Sequence, residues 1–216
     1  MLLIKRLLGA LLLAAGLALV VVGGWFAAFL GSNGTARFAV PPTGSTPVLL
    51  EPAILNRTAH PVRVTVTPKA GSTATIAIGA PSDAAAVIGD HAVAVVTGVD
   101  VRAKSATLTR RGSASGLDLG LVDVWRTTRS VSAPTTVVVD QADAPQTMII
   151  QPGSGADLGA LTLTWSDPAW FREALVAIGV GVILVLAGAR TILPRRRRHR
   201  APTTAGDGIN QGTVVA

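Results

Sequence analysis

Two long apolar runs lie near the ends of the chain, and segments with period-two alternation lie between them. The first run, Leu7 to Leu30, holds 24 uncharged residues, and the second extends from Ala174 to Leu193 with Arg190 near its end. About 20 apolar residues in a helix cross a hydrocarbon core of roughly 30 Å. The pattern therefore predicts two transmembrane helices, over residues 7–30 and 169–193.

The first run is longer than the apolar core of a secretory signal, which has about 7–15 residues. We therefore expect a retained anchor, and cleavage near Gly34-Thr35-Ala36 is the alternative. Before the second run, Asp167 is suited to cap a helix whose first residue is Pro168. Large aromatic side chains favour the interface of a membrane, and four of them flank the two spans: Trp25, Phe26, Trp170 and Phe171.

Small residues recur at four-residue spacing in both runs, at Ala10, Ala14 and Ala18 and again at Ala177 and Gly181. Such faces allow close contact between helices in lipid. The spacing predicts that the two helices pack against each other through these residues. Chance spacing in segments rich in Ala and Gly is the alternative.

Between the spans, Val62 to Thr67 alternates apolar and polar residues as a half-buried strand does. Breakers containing Gly and Pro separate it from similar runs, at residues 75–78, 93–97, 106–109, 117–125, 135–140, 147–151 and 161–165. One short helix is expected at Asp83 to Ile88, capped by Ser82 and ended by Gly89. The pattern predicts a mainly-β domain over residues 31–168, a β-sandwich with one short helix.

Charge gives the predicted orientation. The net charge of +7 lies entirely at the two ends, because residues 7–189 carry eleven basic and eleven acidic side chains. Cationic flanks stay in the cytoplasm, and here they also meet lipid headgroups; they are Lys5, Arg6, Arg190, Arg195, Arg196, Arg197, Arg198 and Arg200. Residues 1–6 and the disordered tail 194–216 are thus expected inside the cell, and the β-domain outside. No basic face interleaved with aromatic residues supports a nucleic-acid partner.

Catalytic motifs are missing from the sequence. The chain has no cysteine, and Gly112-Ser-Ala-Ser-Gly116 carries Ala where a nucleophile elbow needs its nucleophile. His60 and His91 have no ligand partner at helical or strand spacing. We therefore expect no catalytic, metal or cofactor site, and we expect Trp125 and Trp165 in the core.

The Cys-free middle domain, the stretch Ile76 to Ile88, the segments Asp123-Val-Trp125 and Leu161-Thr-Leu-Thr-Trp165, and the Arg-rich end form a familiar layout. The chain resembles a group of uncharacterised actinobacterial membrane proteins with two spans and an extracytoplasmic β-domain. The resemblance implies a plasma-membrane location. It brings no catalytic residues.

These observations predict a non-enzymatic protein of the cell envelope, whose outer domain binds or steadies a membrane or cell-wall partner. One alternative is a small-ligand receptor or enzyme with a site assembled from scattered residues. The other is a transmembrane signalling element with a short tail.

Overall fold

The computed structural model describes residues 2–30, 33–140 and 145–192. The helices are α1 (Leu2–Leu30), α2 (Pro52–Leu55), α3 (Pro81–Ile88) and α4 (Pro168–Ile192). The first five strands are β1 (Thr35–Val40), β2 (Val48–Leu50), β3 (Val62–Pro68), β4 (Ala74–Gly79) and β5 (Val93–Asp100). The others are β6 (Ser105–Arg111), β7 (Thr127–Val131), β8 (Thr135–Val139), β9 (Thr147–Pro152) and β10 (Leu158–Ser166).

Helices α1 and α4 are long and apolar enough to cross a membrane, with mean hydropathies of 2.5 and 2.3 in their most apolar windows. They flank a domain made mostly of strands, so this part of the predicted fold is confirmed. Asp167 caps α4 as expected, because its Oδ1 accepts a hydrogen bond of 2.7 Å from the backbone N–H of Ala169.

All ten strands form one sheet in the order β7-β4-β9-β2-β5-β6-β1-β10-β3-β8. The two edge strands are joined by residues 132–134 alone. Four Cα–Cα steps of about 3.8 Å therefore keep the two edges within about 15 Å of each other. Every strand also contributes a buried side chain to one hydrophobic cluster. The sheet thus curls around a single core as a near-barrel, and the two separate layers expected of a sandwich are not seen.

A second hydrophobic cluster covers the opposite face of β2, β4, β5 and β9. It is formed by α3 and by residues 117–125, so β2, β4, β9 and the first half of β5 carry buried side chains on both faces. Trp125 lies in this cluster and donates a hydrogen bond of 3.1 Å from Nε1 to the carbonyl oxygen of Leu119. Trp165 lies in the first cluster, 5.7 Å from the ring of Phe38. The expected core positions of both tryptophans are confirmed.

Two local predictions are wrong. Residues 117–125 form no strand, because Asp118 accepts a hydrogen bond of 2.9 Å from the N–H of Gly120 and starts a short 3-10 helix, Leu119–Leu121. Helix α3 begins at Pro81 after Ala80, and Ser82 does not cap it; the Ser82 hydroxyl contacts the Asp83 carboxylate at 3.2 Å. The predicted end of this helix at Gly89 is confirmed.

Three strands were not predicted. Strand β1 carries Arg37 on its exposed face, β2 has only three residues between prolines, and β7 is exposed at four of its five positions. Each is held by its neighbours in the sheet more than by its own periodicity.

The strand directions define two ends of the sheet. Strand β1 leaves α1 and β10 runs into α4, and the two are antiparallel neighbours. The sheet therefore has a helix-facing end, at Thr35 and Ser166, and a distal end where β2 and β5 begin.

The core makes a direct prediction for stability. Leu163 is fully buried in the first cluster, whereas Leu121 is 84% exposed. Leu163→Ala should lower the free energy of unfolding by about 2–5 kcal/mol, because it leaves a cavity. Leu121→Ala should change it by less than about 0.5 kcal/mol. Denaturant titration of the full chain in detergent, followed by tryptophan fluorescence, measures both; equal losses would contradict the assigned core.

Candidate functional site

The two long helices touch each other through their backbones. A Cβ atom added at Gly16 would lie 2.6 Å from the carbonyl oxygen of Gly181, and one added at Gly181 would lie 2.8 Å from that of Gly16. The same close approach joins Gly188 to Gly9 at 2.7 Å and Gly23 to Ala174 at 2.9 Å. Side chains larger than hydrogen do not fit at these glycines, so glycine is required for the contact.

The contact repeats every seven residues on both helices. On α1 its layers contain Gly9, Gly16 and Gly23, and on α4 they contain Gly188, Gly181 and Ala174 in the opposite direction. A seven-residue period keeps one seam of each helix facing its partner along a left-handed supercoil. Helix α1 and helix α4 therefore form an antiparallel hairpin with a single register.

The face that α1 uses differs from the predicted one. Ala14 and Ala18 are exposed, whereas Gly181 lies at the contact and Ala177 is half-buried. The four-residue spacing of the alanines selected the wrong side of α1. The seven-residue spacing of Gly9, Gly16 and Gly23 was present in the sequence and was the better signal.

The hairpin continues directly into two neighbouring strands. Thr35 and Ser166 are paired at the ends of β1 and β10, and the N–H of Asp167 then donates a hydrogen bond of 3.0 Å to the carbonyl oxygen of Gly34. Gly34 has φ +59°, and a Cβ there would collide with the Asp167 carbonyl. Only glycine fits, so the passage from strand pair to helix pair is closely packed.

Asp167 joins three parts of the junction. Its Oδ1 caps α4, and its Oδ2 lies 2.9 Å from Nε2 of His60, in the segment before β3. The His60 ring in turn lies edge-on to Trp170, with 6.1 Å between centroids. Trp170 is half-buried and packs against the first cluster. The loop, the start of α4 and the core of the domain are thereby held together.

The predicted interface residues lie at the sheet-facing ends of both helices. Trp25 and Phe26 are 39% and 46% exposed, with their rings 5.1 Å apart. Trp170 and Phe171 are half-buried in the first turn of α4. Phe26 and Trp170 border a groove of about 390 Å³ between the helices, together with Glu173. Aromatic rings are therefore gathered at one level, between the apolar helices and the polar domain.

The predicted basic residues that the structure describes lie at the other end of the hairpin. Lys5 and Arg6 are in the second turn of α1, and Arg190 is in the last turn of α4; all three are exposed. The layer of Gly9 and Gly188 brings these two ends together. The remaining predicted residues, Arg195, Arg196, Arg197, Arg198 and Arg200, lie outside the described residues.

A cavity of about 330 Å³ opens at the distal end of the sheet. Ser45, Ser115, Gln151 and Ser154 are among the residues that line it, and no charged side chain does. Gln151 is already engaged, because Oε1 accepts from Leu119 N–H at 3.1 Å and Nε2 donates to the Leu117 carbonyl. The side chains that line this cavity can form hydrogen bonds. None of them is an acid or a base that could activate one of the serines as a nucleophile.

Histidines and carboxylates do not converge on a metal site in residues 2–30, 33–140 and 145–192. Of the two histidines there, His60 pairs with Asp167, and Nδ1 of His91 lies 2.8 Å from the carbonyl oxygen of Ile88. Both rings are therefore engaged by contacts within the protein.

Comparisons with protein-family models, with curated proteins and with solved structures give no match to this chain. The resemblance to actinobacterial membrane proteins therefore stays a prediction.

The helix contact predicts a sharp difference between two glycines of α4. Nothing lies within 4 Å of a Cβ added at Gly179, whereas Gly181 faces the Gly16 backbone. Overpacking costs about 1–3 kcal/mol, so Gly181→Leu should lower the equilibrium constant for closing the hairpin by about fivefold or more and reduce the closed population. Gly179→Leu should change neither.

Disulfide cross-linking measures this population. Cysteines replacing Leu13 and Val185, which lie between the first two layers, would be the only thiols because the chain has none of its own. Equal cross-linking yields for the Gly181 and Gly179 variants would contradict the contact.

Proposed function

We propose that the chain is a two-pass integral membrane protein of the cell envelope, with both termini in the cytoplasm and the β-domain outside. The domain is not an enzyme in this proposal. It binds or steadies a partner in the membrane or the wall. The observation that carries the proposal is the close-packed junction, which holds the domain directly on top of two helices of membrane-spanning length.

The helix pair supports insertion in lipid. Its contact uses glycines, so the large apolar side chains point outward; Leu3, Leu7, Val21, Val176, Ile183 and Leu186 are each more than half exposed. Only 17% and 11% of the two most apolar windows is buried within the protein. A helix that is apolar all round needs a nonpolar surrounding, and a bilayer supplies it.

Charge supports the orientation. Lys5, Arg6 and Arg190 lie at one end of the hairpin, and the β-domain lies at the other. Since cationic flanks stay with the cytoplasm, the domain faces outward. The aromatic residues between hairpin and domain then lie at the outer interface, where such rings are favoured.

The exposed surface of the domain supports a partner. Leu121 is 84% exposed and Val124 is 41% exposed, both on the segment that covers the second cluster. Val138 is 56% exposed on the edge strand β8. We propose that these apolar side chains contact the membrane or wall component.

Labelling of single cysteines tests the orientation. A membrane-impermeant maleimide added to intact cells should modify Ser154→Cys at the distal end of the domain. Lys5→Cys should react only after the membrane is permeabilised. The opposite labelling pattern would place the domain in the cytoplasm and overturn the proposal.

Photo-cross-linking in the same cells tests the partner. A photoreactive phenylalanine analogue at Leu121 should give one discrete adduct. The same group at Thr107, an exposed position on β6, is the control and should give none. A domain that reacts at neither position, while correctly oriented, would show that this surface has no stable neighbour.

A further inference from the structure

A small cavity lies where the end of α1 meets the domain. Its volume is about 190 Å³. One side is aromatic, with Trp25, Phe26 and Phe29 from α1, and the other comes from β1 and from the turn between β5 and β6.

The cavity carries two cations and no carboxylate. Arg37 and Lys104 both line it, and neither makes an ion pair with an acidic group among the described residues. The nearest acid in the turn, Asp100, accepts hydrogen bonds of 2.8 and 2.9 Å from the N–H groups of Arg102 and Ala103. The side of the cavity formed by the domain is therefore positively charged and uncompensated.

Lys104 is held in place by its backbone. It has φ 51°, and it is the one residue other than glycine with a positive φ in the described part of the chain. Its carbonyl oxygen accepts a hydrogen bond of 3.0 Å from the N–H of Ala39, two residues beyond Arg37. Its Nζ lies 6.0 Å from the centroid of the Phe29 ring. The backbone therefore places Lys104 beside β1, with its ammonium near the aromatic end of α1.

We propose that this cavity binds an anionic phospholipid of the outer leaflet. The phosphate lies between the side chains of Arg37 and Lys104, and an acyl chain follows the rings of Trp25, Phe26 and Phe29 toward the bilayer. The inference rests on the proposed function, because the ligand is present only if α1 spans the membrane. It adds a specific lipid site on the side opposite the basic termini.

The charges favour an anionic headgroup over a zwitterionic one. A choline headgroup brings its own ammonium next to Lys104, whereas a glycerol headgroup leaves the phosphate charge unopposed. Each Lys or Arg near an anionic surface contributes about 1 kcal/mol, which is about a fivefold change in affinity. Two such cations, with no acid beside them, give a measurable preference.

Native mass spectrometry of the full chain in detergent tests the site. Phosphatidylglycerol and phosphatidylcholine with identical acyl chains are the probes, and the wild type should bind phosphatidylglycerol at least about fivefold more tightly. Arg37→Gln and Lys104→Asn should each reduce its binding by about fivefold, and the double variant by more than tenfold. Asparagine is chosen at position 104 because it tolerates a positive φ.

Arg57→Gln and Arg126→Gln are matched controls, since both arginines are exposed and neither lines the cavity. They should leave the preference unchanged. Equal binding of the two lipids, or an unchanged preference in the double variant, would overturn the inference. Displacement of phosphatidylglycerol by glycerol 1-phosphate at equal concentration would show a site for free phosphate and overturn the lipid assignment. Loss of the wild-type protein from the membrane pellet after alkaline extraction is the separate result that would refute insertion.

Discussion

The contact between the backbones of α1 and α4 is the constraint on which the rest of the structure depends. Gly16 and Gly181 are close enough that neither can carry a side chain. The same holds seven residues away for Gly9 and Gly188, and on the other side for Gly23, which faces Ala174. In lipid, apolar side chains gain nothing by leaving their surroundings, so close packing and backbone contact must hold two helices together. Glycine makes this possible because it lets the helix axes approach.

The helix pair and the strand pair next to it are both antiparallel. Helices α1 and α4 are antiparallel, and so are β1 and β10, which follow and precede them with few residues between. A slip of one helix past the other would strain the pair formed by Gly34 and Asp167. The register of α1 against α4 and the register of β1 against β10 therefore support each other. The domain consequently has a fixed orientation relative to the two helices.

Different parts of the fold were visible in the sequence to different degrees. Length and hydropathy were enough for α1 and α4, and the clean alternation of Val62, Val64 and Val66 was enough for β3. Strands β2 and β7 had no local signal, since one is three residues long and the other is polar on an edge. The near-barrel closure depends on pairings between distant strands, and periodicity carries no information about partners.

At the junction between the sheet and the helices, too, the sequence predicted local contacts but not contacts between distant residues. Asp167 was recognisable as a helix cap because the cap is local. Its second contact, with His60, joins residues more than a hundred positions apart and has no pattern along the chain. The helix contact was readable in principle, because the glycines recur every seven residues, but shorter spacings of alanine are more frequent in such segments and pointed to another face.

The central claim is that this glycine-packed hairpin lies in lipid and carries the domain at one end. Site-directed spin labelling in nanodiscs tests it most directly, with nitroxides at Ala14, Ile183 and Ser154, which are all exposed. The account predicts that oxygen relaxes the labels at 14 and 183 far more than a water-soluble nickel complex does, and that the label at 154 shows the reverse. Labels at 14 and 183 that respond to the nickel complex as the label at 154 does would contradict it.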